Sequence, residues 1–162
     1  MSKWATSPIG LFDSGIGGTS IWKEIHRILP NEQTVFLADS ANAPYGIKSK
    51  EEIIALSCKN TEYLLEQNCK LIVVACNTAT TNAIRHLRAK YDVPFIGIEP
   101  AIKPAAIQSE ENRIGVLATK GTLSSELFHQ KVENFHDTVI IEQVGTGLVD
   151  LIENGKMYSP EM

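Results

Sequence analysis

The sequence contains few cysteines and none of the spacings that bind structural metals. Three cysteines, Cys58, Cys69 and Cys76, occur in 162 residues, and no two of them form a Cys-x-x-Cys pair. An odd number of scattered thiols argues against a disulfide framework and favours a reducing compartment. The four histidines also lack a spacing such as His-Glu-x-x-His. We therefore expect reduced thiols and no metal site.

Long apolar runs and clusters of basic charge are absent as well. No stretch approaches the roughly 18 apolar residues that cross a bilayer. Residues 1–8 lack the apolar core of a signal peptide. The formal net charge is -4 and the basic residues are scattered, which argues against a nucleic acid or an acidic membrane as the main partner. These absences predict a soluble, cytoplasmic protein.

The sequence does contain a regular alternation of short apolar runs and longer amphipathic stretches. A run without polar alternation, such as residues 71–75, is typical of a parallel strand that is covered on both faces. Strand–helix alternation of this length predicts βαβ units and the α/β fold class. The predicted strands span residues 9–12, 35–38, 71–75, 95–98, 114–118 and 139–144.

Two helices have recognisable start signals. The first, predicted over residues 49–67, opens with Ser49-Lys-Glu-Glu52, which has the spacing of a capping box. The second follows Cys76, with Asn77 or Thr78 as the expected cap. The apolar face of this second helix comprises Ala79, Ala83, Ile84 and Leu87.

A domain boundary is predicted near Glu99-Pro100, after the fourth strand. Residues 113–122 echo residues 8–17, since each segment runs from a strand into a small polar turn and a helix. On this pattern the chain comprises a first α/β domain, residues 1–98, and an incomplete second one, residues 99–162. If the echo is a true repeat, a counterpart of Cys76 falls beyond the last residue.

Polar residues follow the predicted strands at the edge where an open parallel sheet collects its ligands. Cys76 stands between a buried strand and a helix N-terminus, where free amides and the helix dipole favour a thiolate. The alternative is an inert core cysteine, the usual state of free cysteines and the expected role of Cys58, which lies on an apolar helical stripe. Asp13 ends a buried strand and fits either a turn carboxylate or one that orients or protonates a ligand.

The glycine-rich turn Gly15-Ile-Gly-Gly18 predicts close backbone approach and anion binding at a helix N-terminus. It lacks the lysine of a phosphate-binding loop, and Ser20 occupies the third glycine position of the dinucleotide motif. A nucleotide-binding domain is therefore disfavoured, whereas a substrate carboxylate suits the turn.

Six segments of the sequence match the motifs of one protein family, and they occur in order over essentially the whole chain. They are Gly10–Gly18, Ala43–Gly46, Val74–Thr80, Gly97–Pro100, Arg113–Thr119 and Leu148–Gly155. Together they resemble the glutamate racemases of the aspartate/glutamate racemase family. The Pro-Tyr-Gly loop and the Asp-Ser-Gly-Ile-Gly-Gly turn favour this branch over the aspartate racemases.

The resemblance implies two pseudo-symmetric α/β domains and a cofactor-independent interconversion of L- and D-glutamate, which supplies D-glutamate for peptidoglycan. In that family, two cysteines that face each other across Cα carry the proton transfers. The resemblance implies neither a cofactor nor a metal, and a homodimer is compatible with it. Carried over residue by residue, the catalytic set is Cys76, Asp13 and Glu153, and the substrate-binding set is Ser14, Pro44, Tyr45, Gly46, Asn77, Thr78 and Thr119. On spacing alone, Glu153 is an ordinary exposed helix carboxylate.

One departure from the family pattern affects the expected activity. The family's second cysteine lies in a Gly-Cys-Thr-His segment that has no match here, and no cysteine follows Cys76. We therefore expect a truncated chain that is weakly active or inactive and that exposes a sheet edge and apolar surface. The alternatives are a non-catalytic carboxylate-binding remnant and a related aspartate or hydantoin racemase.

Overall fold

A computed structural model describes residues 6–162, which form two parallel β-sheets flanked by helices. The predicted α/β fold class is confirmed, and each predicted strand ends within one residue of the observed bounds. The prediction about the chain start rests in part on residues 1–5, which lie outside the described residues. The strands are β1 (Ile9–Asp13), β2 (Thr34–Ala38), β3 (Leu71–Val74), β4 (Phe95–Gly97), β5 (Arg113–Ala118) and β6 (Val139–Val144).

Helices connect the strands, as parallel pairing requires. Two short 3₁₀ turns, Ser40–Asn42 and Tyr45–Ile47, follow β2. The helices are α1 (Thr19–Ile28), α2 (Lys50–Glu66), α3 (Asn77–Lys90), α4 (Ile102–Gln108), α5 (Lys120–Leu123), α6 (Glu126–Val132) and α7 (Leu148–Glu153). None of the helices within residues 6–162 has the length and apolar character needed to cross a membrane.

The first sheet has the order β2-β1-β3-β4, so that β1 pairs with a parallel strand on each side. All five residues of β1 are buried. Side chains alternate across the sheet, because successive residues of a strand point to opposite faces. Phe12 and Val74 join the core cluster with α2 and α3, while Leu11 and Val73 pack on the other face near α1. Because helices pack on both faces of this sheet, the carboxyl ends of β1 and β3 are held side by side.

The start of α2 agrees with its predicted capping box. The Ser49 hydroxyl accepts a hydrogen bond from the Glu52 N–H at 3.2 Å, and the Glu52 carboxylate accepts one from the Ser49 N–H at 2.9 Å. Two backbone N–H groups that have no partner within the helix are thereby hydrogen-bonded at its first turn. Cys58, a residue of α2, is buried within the core cluster, as the apolar stripe predicted.

Within residues 6–162, the second sheet consists of β5 and β6, which pair in parallel. Its core is small and is built from Ile102, Ile114, Leu123 and Phe128. In β6, every residue except Ile140 is exposed. The two sheets separate between β4 and α4, near the predicted boundary at residues 98 and 99. The assignment of two domains stays a prediction.

Candidate active site

One open cavity of about 490 Å³ lies at the carboxyl ends of the strands. Its volume is in the range of small-molecule sites. The structure brings all ten predicted site residues to its lining, although they come from four strand ends and from α7. They are Asp13, Ser14, Pro44, Tyr45, Gly46, Cys76, Asn77, Thr78, Thr119 and Glu153. Their individual roles stay predictions.

Cys76 is itself the N-cap of α3, so the prediction that Asn77 or Thr78 caps this helix was wrong. The backbone of Cys76 is extended, and its Sγ accepts a hydrogen bond from the Ala79 N–H at 3.4 Å. The helix begins one residue earlier than a cap at Asn77 allows, so the sulfur reaches the third helical amide. The same sulfur lies 3.6 Å from the Ser14 Oγ, to which it donates.

The electrostatic setting of Cys76 differs from the sequence-based expectation of a thiolate. Burial raises the pKa of the thiol to about 11, and the negative charge of Asp13 adds to the effect. Hydrogen bonds from the Ala79 and Ser14 amides lower the pKa but do not compensate. Desolvation penalises the charged form more than the helix N-terminus stabilises it. Cys76 is therefore a protonated thiol near neutral pH in the ligand-free protein.

Asp13 closes the glycine-rich turn that follows β1. Its Oδ2 accepts hydrogen bonds from the Gly15 and Gly18 N–H groups, each at 3.1 Å. The side chain is buried, and no hydrogen bond to Oδ1 is formed within residues 6–162. Asp13 thus fills the turn role suggested by the sequence and keeps one carboxylate oxygen free beside Cys76.

Glu153 reaches the same turn from the far end of the chain. Its Oε1 accepts a hydrogen bond from the Ile16 N–H at 3.0 Å across a separation of 137 residues. A Cβ at Gly15 would overlap this carboxylate, so only glycine allows the approach. The turn was predicted to bind a substrate carboxylate, but three of its amides are engaged by Asp13 and Glu153. The turn thus binds two carboxylates of the chain itself, that of Asp13 and that of Glu153 from α7.

Tyr45 lines the cavity, but its hydroxyl is committed elsewhere. The OH donates to Asp39 Oδ2 at 2.5 Å and accepts from Asn60 Nδ2 at 2.9 Å. Burial and the adjacent Asp39 carboxylate raise the pKa of this phenol well above its ordinary value. Any contact of Tyr45 with a ligand therefore comes from its ring or its backbone.

Three threonine hydroxyls join the two sheets at the cavity. The Oγ1 of Thr78 lies 2.8 Å from that of Thr119 and 3.1 Å from that of Thr122, and the last two are 3.1 Å apart. Thr122 also lines the cavity; the polar segment 119–122 was expected near the cleft, but Thr122 was not among the predicted site residues. The available signal was its place three residues after Thr119, the N-cap of α5.

The cavity is lined by acidic residues and by no basic residue of the described part of the chain. Asp13 and Glu153 are the acidic residues of its lining, and no lysine, arginine or histidine of residues 6–162 takes part in it. An ammonium group suits such a wall, whereas carboxylates must be held by neutral donors such as hydroxyls, amides and backbone N–H groups. A zwitterion with an ammonium and carboxylates can use both.

A protein-family model, described as Asp/Glu/Hydantoin racemase, matches residues 9–156 of this sequence. The chain belongs to the Asp/Glu/Hydantoin racemase family. The matched range contains every residue of the candidate site, from Asp13 to Glu153.

Individual members of the family are similar to the chain over nearly all of its length. The glutamate racemase of Herpetosiphon aurantiacus is 46% identical over 153 residues, which are 94% of this chain and 60% of that protein. The glutamate racemase of Ralstonia pickettii is 47% identical over 161 residues, or 99% of this chain and 57% of that protein. The chain therefore spans about 60% of the length of these relatives.

Solved structures agree with the family assignment. The chain is similar to the Escherichia coli glutamate racemase in complex with L-glutamate and the activator UDP-MurNAc-ala, with a TM-score of 0.83 and 37% identity. The match covers 89% of this chain and 55% of that one. Glutamate racemase RacE1 from Bacillus anthracis gives a TM-score of 0.82 at 32% identity. The racemase-like fold is therefore shared by the present chain.

Proposed function

We propose that this chain carries one half of a cofactor-independent glutamate racemase site, with Cys76 as the group that exchanges the α-proton on one face of Cα. The observation that carries the proposal is the cavity where Cys76, Asp13 and the neutral donors of two sheets meet. Similarity to glutamate racemases supports glutamate as the substrate. The D-glutamate that this reaction forms supplies peptidoglycan synthesis.

The charge of the cavity explains how a thiol of pKa about 11 takes part in proton transfer. A bound amino acid places its ammonium beside Asp13 and Cys76, and a nearby positive charge lowers the pKa of a thiol. The thiol releases its proton to solvent in the open cavity, and the resulting thiolate removes the α-proton and becomes a thiol again. The free oxygen of Asp13 balances the charge of the ammonium. Ser14, Asn77, Thr78 and Thr119 hold the carboxylates through neutral hydrogen bonds, which stabilise the negative charge that develops at Cα.

One thiol on one side of Cα exchanges a proton but does not invert the centre. Inversion needs a second acid that delivers a proton to the opposite face, and the 162 residues contain no cysteine after Cys76. We therefore propose that this stretch of chain exchanges the α-proton of one glutamate enantiomer with solvent and racemises glutamate poorly.

Solvent deuterium incorporation at Cα of L- and D-glutamate, followed by NMR, tests the proposal. We expect exchange into one enantiomer and a loss of at least about 100-fold in Cys76→Ala, since removal of a general base commonly costs that much. Cys58→Ala is the matched control, because it removes a buried sulfur that lies in the core and outside the cavity.

Two outcomes would contradict this function. Equal exchange by the wild-type chain and Cys76→Ala would remove Cys76 from the chemistry. Rapid inversion of both enantiomers by the wild-type chain would show that a second proton donor exists within these residues. Faster exchange of aspartate than of glutamate would instead move the substrate to the shorter amino acid.

A further inference from the structure

We propose that Asp39 and Asn60 are positioning residues of the active site, which hold the Tyr45 phenol and thereby fix the backbone of residues 44–46 against the cavity. Neither of the two residues lines the cavity. The inference rests on the proposed function for its ligand, glutamate, but its structural part stands on the ligand-free protein.

The Tyr45 hydroxyl has a complete set of partners on the side away from the cavity. Its single proton is donated to Asp39 Oδ2 at 2.5 Å, and one lone pair accepts from Asn60 Nδ2 at 2.9 Å. The Asn42 side chain donates to the other oxygen of Asp39 at 2.8 Å and fixes the carboxylate in turn. Hydrogen bonds to a carboxylate are among the stronger ones in proteins, so the phenol is held at a defined place.

The anchored ring is directly connected to groups that face the cavity. Tyr45 is 1% exposed, and the 3₁₀ turn Tyr45–Ile47 begins with it. The first N–H groups of such a turn have no partner inside it, and those of Tyr45 and Gly46 form no hydrogen bond within residues 6–162. Gly46 is buried and lines the cavity, so this donor is available to a carboxylate.

The space around Gly46 makes its position sensitive to small shifts. A Cβ at Gly46 would lie 2.6 Å from the Thr119 Cβ, and one at Gly121 would lie 3.1 Å from the Gly46 carbonyl oxygen. Gly46 therefore packs closely against the segment that carries Thr119 and Gly121, and it directly follows the anchored Tyr45. Movement of the ring changes the distance between the Gly46 N–H and the threonine hydroxyls that we propose as ligand contacts.

A second tyrosine provides a matched control. The Tyr91 OH donates to Glu62 Oε1 at 2.6 Å, a bond like that between Tyr45 and Asp39, but neither Tyr91 nor Glu62 lines the cavity. Tyr91→Phe therefore reports what the loss of one tyrosine–carboxylate hydrogen bond does to the fold alone.

The test compares Asp39→Ala, Asp39→Asn, Asn60→Ala, Tyr45→Phe and the double variant Asp39→Ala/Tyr45→Phe with the Tyr91→Phe control. Two quantities are measured on the full 162-residue chain: the ¹H–¹⁵N resonance and hydrogen exchange of the Gly46 amide without ligand, and the Kd for L- and D-glutamate from NMR titration. Melting temperatures are recorded for all variants.

We expect Asp39→Ala, Asn60→Ala and Tyr45→Phe to shift the Gly46 amide, to speed its exchange and to weaken glutamate binding by about tenfold, the effect of misplacing one hydrogen bond to a charged group. Asp39→Asn keeps an acceptor oxygen and should restore most of the affinity. The double variant should bind as Tyr45→Phe does, because Asp39 acts only through the phenol.

The inference is overturned if Asp39→Ala leaves the Gly46 amide and the Kd as they are in Tyr91→Phe, or if its effect adds fully to that of Tyr45→Phe. A wild-type chain that binds no glutamate would contradict the proposed function. In that case the Gly46 amide still decides the positioning role, since this measurement uses the ligand-free chain.

Discussion

The two sheets of this protein are both parallel, but they differ in how completely their strands are covered. In the first sheet, Ile72 of β3 is 0% exposed, whereas Ile141 of β6 is 52% exposed although it has the same side chain and also lies within a strand. The covered sheet supplies Asp13 and Cys76, which are both buried. The less covered sheet supplies Thr119, which is partly exposed. The thiol whose pKa is raised by burial therefore lies in the region with helices on both faces.

The largest predicted difference between the two sheets is in the free energy of unfolding of two isoleucine variants. Ile72→Ala should lower the free energy of unfolding by about 2–5 kcal/mol, because it leaves a cavity in a packed core. Ile141→Ala should change it by no more than about 0.5 kcal/mol, since the side chain is half exposed. Urea denaturation of both variants at one pH measures the difference.

Equal losses of unfolding free energy in the two isoleucine variants would contradict the difference in coverage between the two sheets. That result would mean that the exposed face of β6 is covered in solution, as by self-association. Sedimentation of the wild-type chain and of Ile141→Ala at several concentrations would then identify the association.

The pH dependence of stability gives the next largest effect. Because the pKa of the Cys76 thiol is about 11 in the folded chain and near 9.0 ordinarily, the unfolded chain releases its proton first as the pH rises. The stability linked to this thiol is fully present below pH 9 and is lost between about pH 9 and pH 11, by about 2–3 kcal/mol in total. Cys76→Ala should lack this part of the decline.

The measurement is a set of urea titrations from pH 7 to pH 11 for the wild-type chain, Cys76→Ala and the Cys58→Ala control. Relative to Cys76→Ala, the free energy of unfolding of the wild type should fall by about 2–3 kcal/mol between pH 9 and pH 11, whereas Tyr45 and other shared groups cancel. A constant difference over the whole range would show that the thiol is not desolvated as the structure indicates.

The smallest predicted effect concerns the link between the two regions. Glu153→Ala removes the acceptor for the Ile16 N–H and should cost about 0.5–1.5 kcal/mol, the usual worth of one hydrogen bond. The Ile16 amide should exchange faster with solvent, as hydrogen–deuterium exchange would record. Glu153→Gln keeps an acceptor oxygen and is the control. Unchanged exchange of Ile16 in Glu153→Ala would show that α7 does not stabilise the glycine-rich turn.

Much of the fold was readable from the sequence, because it depends on local pattern. Apolar runs such as residues 71–75 predicted buried parallel strands, and Ser49 with Glu52 predicted a helix start that the structure contains. The meeting of Asp13, Ser14 and Cys76 at one cavity also followed, since polar residues after parallel strands collect at one edge of a sheet. Glu153 was assigned to the site through the family resemblance alone. The sequence by itself thus determined the strands, the helix starts and the polar residues at the strand ends.

The tertiary structure decided what those residues do when they meet. Burial set the protonation of Cys76 against the local effect of the helix N-terminus, and the sulfur took the cap position expected of Asn77 or Thr78. The Tyr45 hydroxyl turned to Asp39 and Asn60, and Glu153 reached an amide 137 residues away. None of these outcomes has a local signature, because desolvation and long-range hydrogen bonds exist only after distant segments have packed together.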